Sequence, residues 1–140
     1  MHKLQVQQQQ HQNKTVIHKL YYLLEAFLVQ NLFHKFLPEI YKAAEKEAPR
    51  EMCGLIIQQN DKIKWILCEN KSENKNEFKI DGEAFVKYLL TSKILYVVHS
   101  HYMEDCKPSQ HDINGCNEVD IPYLIVSYPQ KEYYILEPTI

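Results

Sequence analysis

Apolar positions along the chain follow several different rhythms, and the changes of rhythm divide it. Residues 1–14 carry little apolar pattern, and Gln7 to Gln10 form a polar run. Low-complexity sequence with so little to bury is expected to be disordered. Over residues 15–36, Ile17, Leu20, Tyr21, Leu24, Phe27, Leu28 and Leu32 recur at helical spacing, which predicts an N-terminal helical extension. Its uninterrupted apolar part is too short to span a membrane, and Lys19, Glu25, His34 and Lys35 flank or interrupt it. Glu25 also breaks the apolar region that a signal peptide needs, and no small-residue cleavage site follows. The extension reads either as a helix that packs on the domain or as a docking or dimerisation helix.

From residue 37 to 140 the rhythm alternates between strand and helix. Pro38 can open a helix that runs through Ile40, Tyr41 and Ala44 and ends before Pro49. Residues 53–58 and 62–68 read as strands joined by a Gln-Asn-Asp turn. Residues 71–77 form a polar loop, and Phe78, Lys79 and Ile80 a short strand. Asp81 is expected to cap a helix whose apolar face is Phe85, Val86, Leu89 and Leu90. The β-branched and aromatic run Ile94 to Val98 predicts a buried strand. Residues 102–108 make a polar loop, and Ser109 with Asp112 three positions on marks a helix start. Residues 123–128 and 132–136 read as a closing hairpin. The result is an α+β class domain with a mixed central sheet flanked by helices.

The chemistry lies where the buried strand ends. His99-Ser100-His101 is followed, after seven intervening residues, by Ser109 and then by Asp112, with Glu51 upstream. Side chains alternate along a strand, so His99 and His101 point to one side, where a single metal can bridge them. Asp112, in the first helical turn, can reach back to the same point. Two histidines and a carboxylate are the ligand types of a catalytic zinc site with one open position. Glu51 supplies the proton shuttle such a site needs, and the Ser109 hydroxyl a donor beside the open position. Taken singly, Ser-x-x-Asp is a common capping box and Glu51 an ordinary acid at a strand start. His111 and the histidines His2, His11, His18 and His34 have no assigned place and are expected to be solvated.

Composition narrows the alternatives. At 140 residues with a formal net charge of −2, the chain holds one domain, and no basic patch points to nucleic acid. Cys53, Cys68, Cys106 and Cys116 form no Cys-x-x-Cys pair, so free thiols are expected, with Cys106 in an exposed loop. A zinc deaminase is excluded because the His-x-Glu and Pro-Cys-x-x-Cys elements are missing.

Glu51, His99, His101, Ser109 and Asp112 together resemble the JAMM motif of the MPN-domain zinc metallopeptidases, which include deubiquitinating and desampylating enzymes. The stretch Pro49-Arg50-Glu51-Met52-Cys53-Gly54-Leu55-Ile56 is similar to the family's glutamate-bearing strand start. Tyr102 departs from the Pro that many members carry after the second histidine, which alters the loop and not the ligand set. Cys106 to Asp112, Gly115 to Asn117 and Ile121 to Ser127 further resemble the peptidase domain of lambda K-type phage tail assembly proteins. The resemblance spans residues 37–138. It implies an MPN fold with cytidine-deaminase-like layering, preceded here by the extra helix. It implies one Zn2+ per chain on His99, His101 and Asp112, with Glu51 as base and Ser109 steadying the tetrahedral intermediate. Relatives often append an NlpC-type cysteine peptidase domain, which is not expected in a chain ending at Ile140.

The activity implied is hydrolysis of a peptide or isopeptide bond in phage tail assembly. A protein or peptide substrate and phage tail proteins are the implied partners, with no nucleic acid and no membrane. The location implied is the host cytoplasm or the virion tail. Two other classes stand beside this reading. One is a catalytically silent tail scaffold of the same fold. The other is a cellular isopeptidase that processes ubiquitin-like or sulfur-carrier proteins.

Overall fold

The computed structural model describes residues 2–139, without the side chains at 25, 26 and 29–32. It divides into two units, Met1–His34 and Lys35–Ile140. The first unit is a single helix, α1 (His2–Phe33). It runs through residues 2–14, for which composition predicts disorder; that stretch contains neither Pro nor Gly to break helical hydrogen bonding. Ile17, Leu20, Tyr21, Leu24, Phe27 and Leu28 are exposed. Leu32 and Glu25, which the sequence reading also uses, lie outside the described side chains. No helix among the described residues is long and apolar enough to cross a membrane.

The second unit begins within a 3-10 turn (His34–Phe36) and continues into α2 (Leu37–Glu47), which carries Pro38 in its first turn and buries Ile40 and Ala44. Strands β1 (Cys53–Gln59) and β2 (Lys62–Cys68) form a hairpin. Its two-residue loop puts both Asn60 and Asp61 at positive φ, 51° and 64°, the backbone that matches the twist of paired strands. Then come α3 (Gly82–Thr91), β3 (Lys93–Tyr102), α4 (Gln110–Val119), β4 (Tyr123–Tyr128) and β5 (Tyr133–Leu136). The sheet order is β2-β1-β3-β4-β5. β3 and β4 are parallel and all other neighbours antiparallel. A parallel pair needs a crossover, and α4 supplies it. The mixed α+β architecture is the one the sequence predicts.

Strand alternation decides which residues meet. Leu55, Ile57, Val97, Tyr123 and Ile125 form a buried core with Cys106 and Cys116, against which Phe78, Phe85 and Tyr88 pack. Three expectations change here. Residues 78–80 are not a strand; Ile80 makes only an isolated bridge with Asn70. The local sequence is too short and too tightly held by Asn70 to extend a ladder. Helix α3 turns Phe85 and Tyr88 inward and leaves Val86, Leu89 and Leu90 exposed. Asp81 stands at the N-cap position of α3, but its side chain makes no capping hydrogen bond.

Candidate metal centre

The site is assembled by strand register. In the β1–β3 pair Cys53 lies opposite His99, so extending the register by two residues brings Glu51 opposite His101. His99 and His101 continue the row of Val97 and face the core side of the sheet. Ser100, between them, points the other way and locks the junction. Its hydroxyl accepts a hydrogen bond from the Met52 amide at 2.8 Å, and its own amide donates to the Met52 carbonyl at 2.9 Å. The fourth residue arrives on α4. The Ser109 hydroxyl accepts from the Asp112 amide at 3.1 Å, while the Ser109 amide donates to Asp112 Oδ2 at 2.9 Å. This reciprocal capping box fixes the Asp112 carboxylate as well as starting the helix.

Four buried side chains therefore converge. Asp112 Oδ1 lies 3.0 Å from His99 Nε2, and Oδ2 lies 3.1 Å from His101 Nε2. Glu51 Oε1 is 3.8 Å from His99 Nδ1 and 3.8 Å from His101 Nε2. The ligand atoms of Glu51, His99 and His101 all lie within 4.8 Å of one another. The His99 ring has no solvent exposure, and Phe78 stacks on it at 4.3 Å between centroids and 20° between planes. Tyr123 meets the His99 ring edge-on at 5.8 Å. His101 is held differently, by a 2.8 Å hydrogen bond from its Nδ1 to the Asp105 carbonyl.

The protonation equilibria follow from this packing. Burial pushes Glu51 up to about 8; the His101 charge opposes the shift, and Asp112, Glu104 and Glu77 add to it. Burial also works against a charged His101, but Asp112, the Asp105 carbonyl and Glu51 outweigh it and raise that histidine to about 9. At His99 burial wins over the Asp112 carboxylate and lowers the pKa. Burial works against ionisation of Asp112, yet the His101 and His99 imidazoles beside it hold it well below the usual carboxylate range.

The cluster fits a cation. Neither ring nitrogen of His99 has an aligned hydrogen-bond partner, despite complete burial and the nearby Asp112 oxygen. Buried polar nitrogens are normally satisfied, and two orphans on one ring facing two carboxylates match a metal ligand set. The structure thus brings together Glu51, His99, His101 and Asp112, with Ser109 exposed at the rim. Asp112 stands nearer the imidazoles, at 3.0 and 3.1 Å, than Glu51 at 3.8 Å, while the ligand atoms of Glu51, His99 and His101 also fall within one cation's reach. His111, His2, His11, His18 and His34 are exposed, in line with the sequence reading. Cys106 is not an exposed loop cysteine but a buried member of the core, and burial raises its thiol pKa. Four residues that matter here escape sequence reasoning: Ser100, Asn70, Phe78 and Tyr123. The polar residue between the two histidines was a usable signal for Ser100; nothing local marks the others.

Comparison with known proteins agrees with the fold. A family model described as prokaryotic homologs of the JAB domain matches residues 34–135. The tail tip assembly protein K of Escherichia phage N15 is 29% identical over 105 residues, 74% of this chain. The chain spans 43% of that relative's length. Among solved structures, a JAB1/MPN domain protein from Archaeoglobus fulgidus superposes with a TM-score of 0.52 at 22% identity, covering 73% of this chain and 83% of that one. A Desulfitobacterium hafniense protein solved in solution gives 0.58 at 22% identity, covering 72% and 77%. With more than half of its length matched by the family model, the chain belongs to the prokaryotic JAB-domain family, and so carries a JAB/MPN domain.

Proposed function

We propose that this JAB/MPN domain is a zinc-dependent metallopeptidase that hydrolyses a peptide or isopeptide bond, acting in phage tail assembly. The observation that carries the reading is the buried convergence of Glu51, His99, His101 and Asp112, with no aligned hydrogen bond at either His99 nitrogen. His99, His101 and Asp112 would hold the ion. When bound, zinc lowers the pKa of a water toward neutral and polarises a carbonyl. Glu51 then takes the proton of the attacking water and delivers it to the leaving amine. Burial pushes its carboxyl up in the metal-free site, and a divalent cation beside it would favour the ionised form that accepts the proton. The Ser109 hydroxyl already accepts from the Asp112 amide, so its own proton is free for the developing oxyanion. One such donor is worth roughly 3 kcal/mol. Capping and oxyanion roles coexist on one oxygen. The phage tail context comes from the tail tip assembly relative.

Elemental analysis of purified protein tests this directly. About one zinc per chain is expected in the wild type, and none in His99→Ala or Asp112→Ala. Glu51→Gln is expected to keep its zinc and lose turnover. Retained turnover would remove Glu51 from the role of base. A folded, zinc-supplied wild type without specifically bound metal would leave a tail scaffold as the better reading.

A further inference from the structure

The two histidines at the centre are oriented by different means. His101 has a hydrogen bond from its second ring nitrogen to a backbone carbonyl, the usual way a ligand imidazole is aimed. At His99 neither ring nitrogen has an aligned hydrogen bond of that kind; its Nε2 lies 3.0 Å from Asp112 Oδ1, and the Phe78 face and the Tyr123 edge pack against the ring. The Phe78 stack is the closest ring contact that sets the plane of His99, so what fixes Phe78 helps to fix that plane.

Phe78 lies in a polar loop whose two ends close around one buried side chain, Asn70, 7% exposed. Its Nδ2 donates to the Glu51 carbonyl at 2.8 Å and to the Glu77 carbonyl at 3.1 Å. Its Oδ1 accepts from the Ser72 amide at 2.9 Å and the Lys79 amide at 3.0 Å. A carboxamide has two donor hydrogens and two acceptor lone pairs, and all are used. The residues before and after Phe78 are both gripped, and so is the backbone of Glu51. The Arg50 guanidinium and one backbone bond reinforce the clamp. Arg50 donates to the carbonyls of Asn70 and Ser72 at 2.9 and 2.7 Å, and the Lys71 amide donates to the Lys79 carbonyl at 2.8 Å. Aspartate has no donors, and serine is too short and too poor in valences to make the same four contacts.

We propose that Asn70 is the positioning residue of the metal centre, setting the Glu51 backbone and the Phe78 ring that aims His99 with a single carboxamide. The proposal rests on the zinc-site reading for its catalytic meaning, but its test is read on metal-free protein.

The experiment is proton–carbon correlation spectroscopy of the histidine rings in wild type, Phe78→Leu, Asn70→Ala and Asn70→Asp, followed by zinc titration. A proton held over an aromatic face is shielded, so Phe78→Leu marks where the His99 ring signal moves once the stack is gone. Asn70→Ala is expected to carry that signal more than half of the way there, while exposed His111 stays in place. Zinc affinity should fall about 10-fold or more, as for other residues that aim ligands. A folded Asn70→Ala variant with the His99 signal at its wild-type position would overturn the proposal. Should Asn70→Ala fail to fold, Asn70→Asp decides, because it keeps an acceptor for the Ser72 and Lys79 amides but turns a carboxylate oxygen toward the Glu51 and Glu77 carbonyls where the donated pair was. Movement of its His99 signal supports the proposal, and a wild-type position overturns it. Wild type that binds no zinc sinks the metallopeptidase reading alone. An unmoved His99 signal in protein that binds zinc sinks this proposal alone.

Discussion

Replacing Ser100 with alanine tests how the two halves of the metal centre are joined. The Met52 amide donates to the Ser100 hydroxyl at 2.8 Å, with Met52 1% and Ser100 2% exposed. Neither group can turn to water. Ser100→Ala removes the acceptor and leaves the amide buried and unpaired, which costs about 1–3 kcal/mol. The removed atom is a single oxygen, so a cavity adds little. With a urea m-value of roughly 2 kcal/mol/M for a domain of this size, the midpoint should fall by about 0.5–1.5 M at constant m. The assay is urea unfolding of metal-free protein, followed by circular dichroism. Zinc should raise the midpoint of both proteins through binding to the native state. A loss below about 0.5 kcal/mol in the metal-free comparison would refute the reasoning, because an orphaned buried donor costs more than that.

Other consequences follow from the same geometry. His101 rises from 6.5 to about 9 and Glu51 from 4.5 to about 8 in the fold, so each keeps a proton that the unfolded chain has released. Metal-free stability should therefore fall as pH rises from 6.5 to 9, and His99 and Asp112, both lowered, act below that window. Over the same range zinc affinity should rise with release of protons, measurable by calorimetry in buffers of different ionisation enthalpy; affinity independent of pH would contradict it. Gly54→Ala would set a Cβ against the Trp65 ring and 2.5 Å from the Ile66 carbonyl oxygen, forcing β1 and β2 apart. A loss of about 1–3 kcal/mol is expected in the same urea assay, and a neutral substitution would argue against so close an approach. Gly115 lies in α4 where a Cβ would come 2.7 Å from the Tyr123 hydroxyl. Gly115→Ala should destabilise the wild type but stabilise Tyr123→Phe, where about 1 kcal/mol of helix propensity is no longer offset by the clash. Equal effects in the two backgrounds would show that the hydroxyl is not what requires glycine.

Much of the site is legible because its logic is local. Alternation along one strand sets His99 and His101 on one side, and a capping box places Asp112 in the first turn of α4. Both depend on residues within a few positions of each other. Glu51 could be read only as part of a pattern, since its approach to His101 depends on the register between β1 and β3. The contacts of Ser100 and Asn70 were not legible, although a polar residue between the two histidines was a signal for Ser100 itself. Their partners lie 48 and 19 residues away in sequence, and a hydrogen bond at such separation leaves no periodic trace.

The same division runs through the fold. The order of strands and helices, the Asn60-Asp61 turn and the start of α4 follow from propensity, turn chemistry and capping, which act over neighbouring residues and need no tertiary context. Which face of α3 is buried did not follow, since Phe85 and Val86 are both apolar and only the sheet's shape chooses between them. The burial of Cys106 likewise depends on the core that its loop closes over. Sequence alone brought out the candidate ligands at the end of β3. Tertiary structure decided how that chemistry is held, because the burial of His99, the Phe78 stack and the clamp of Asn70 exist only once distant segments share one desolvated space.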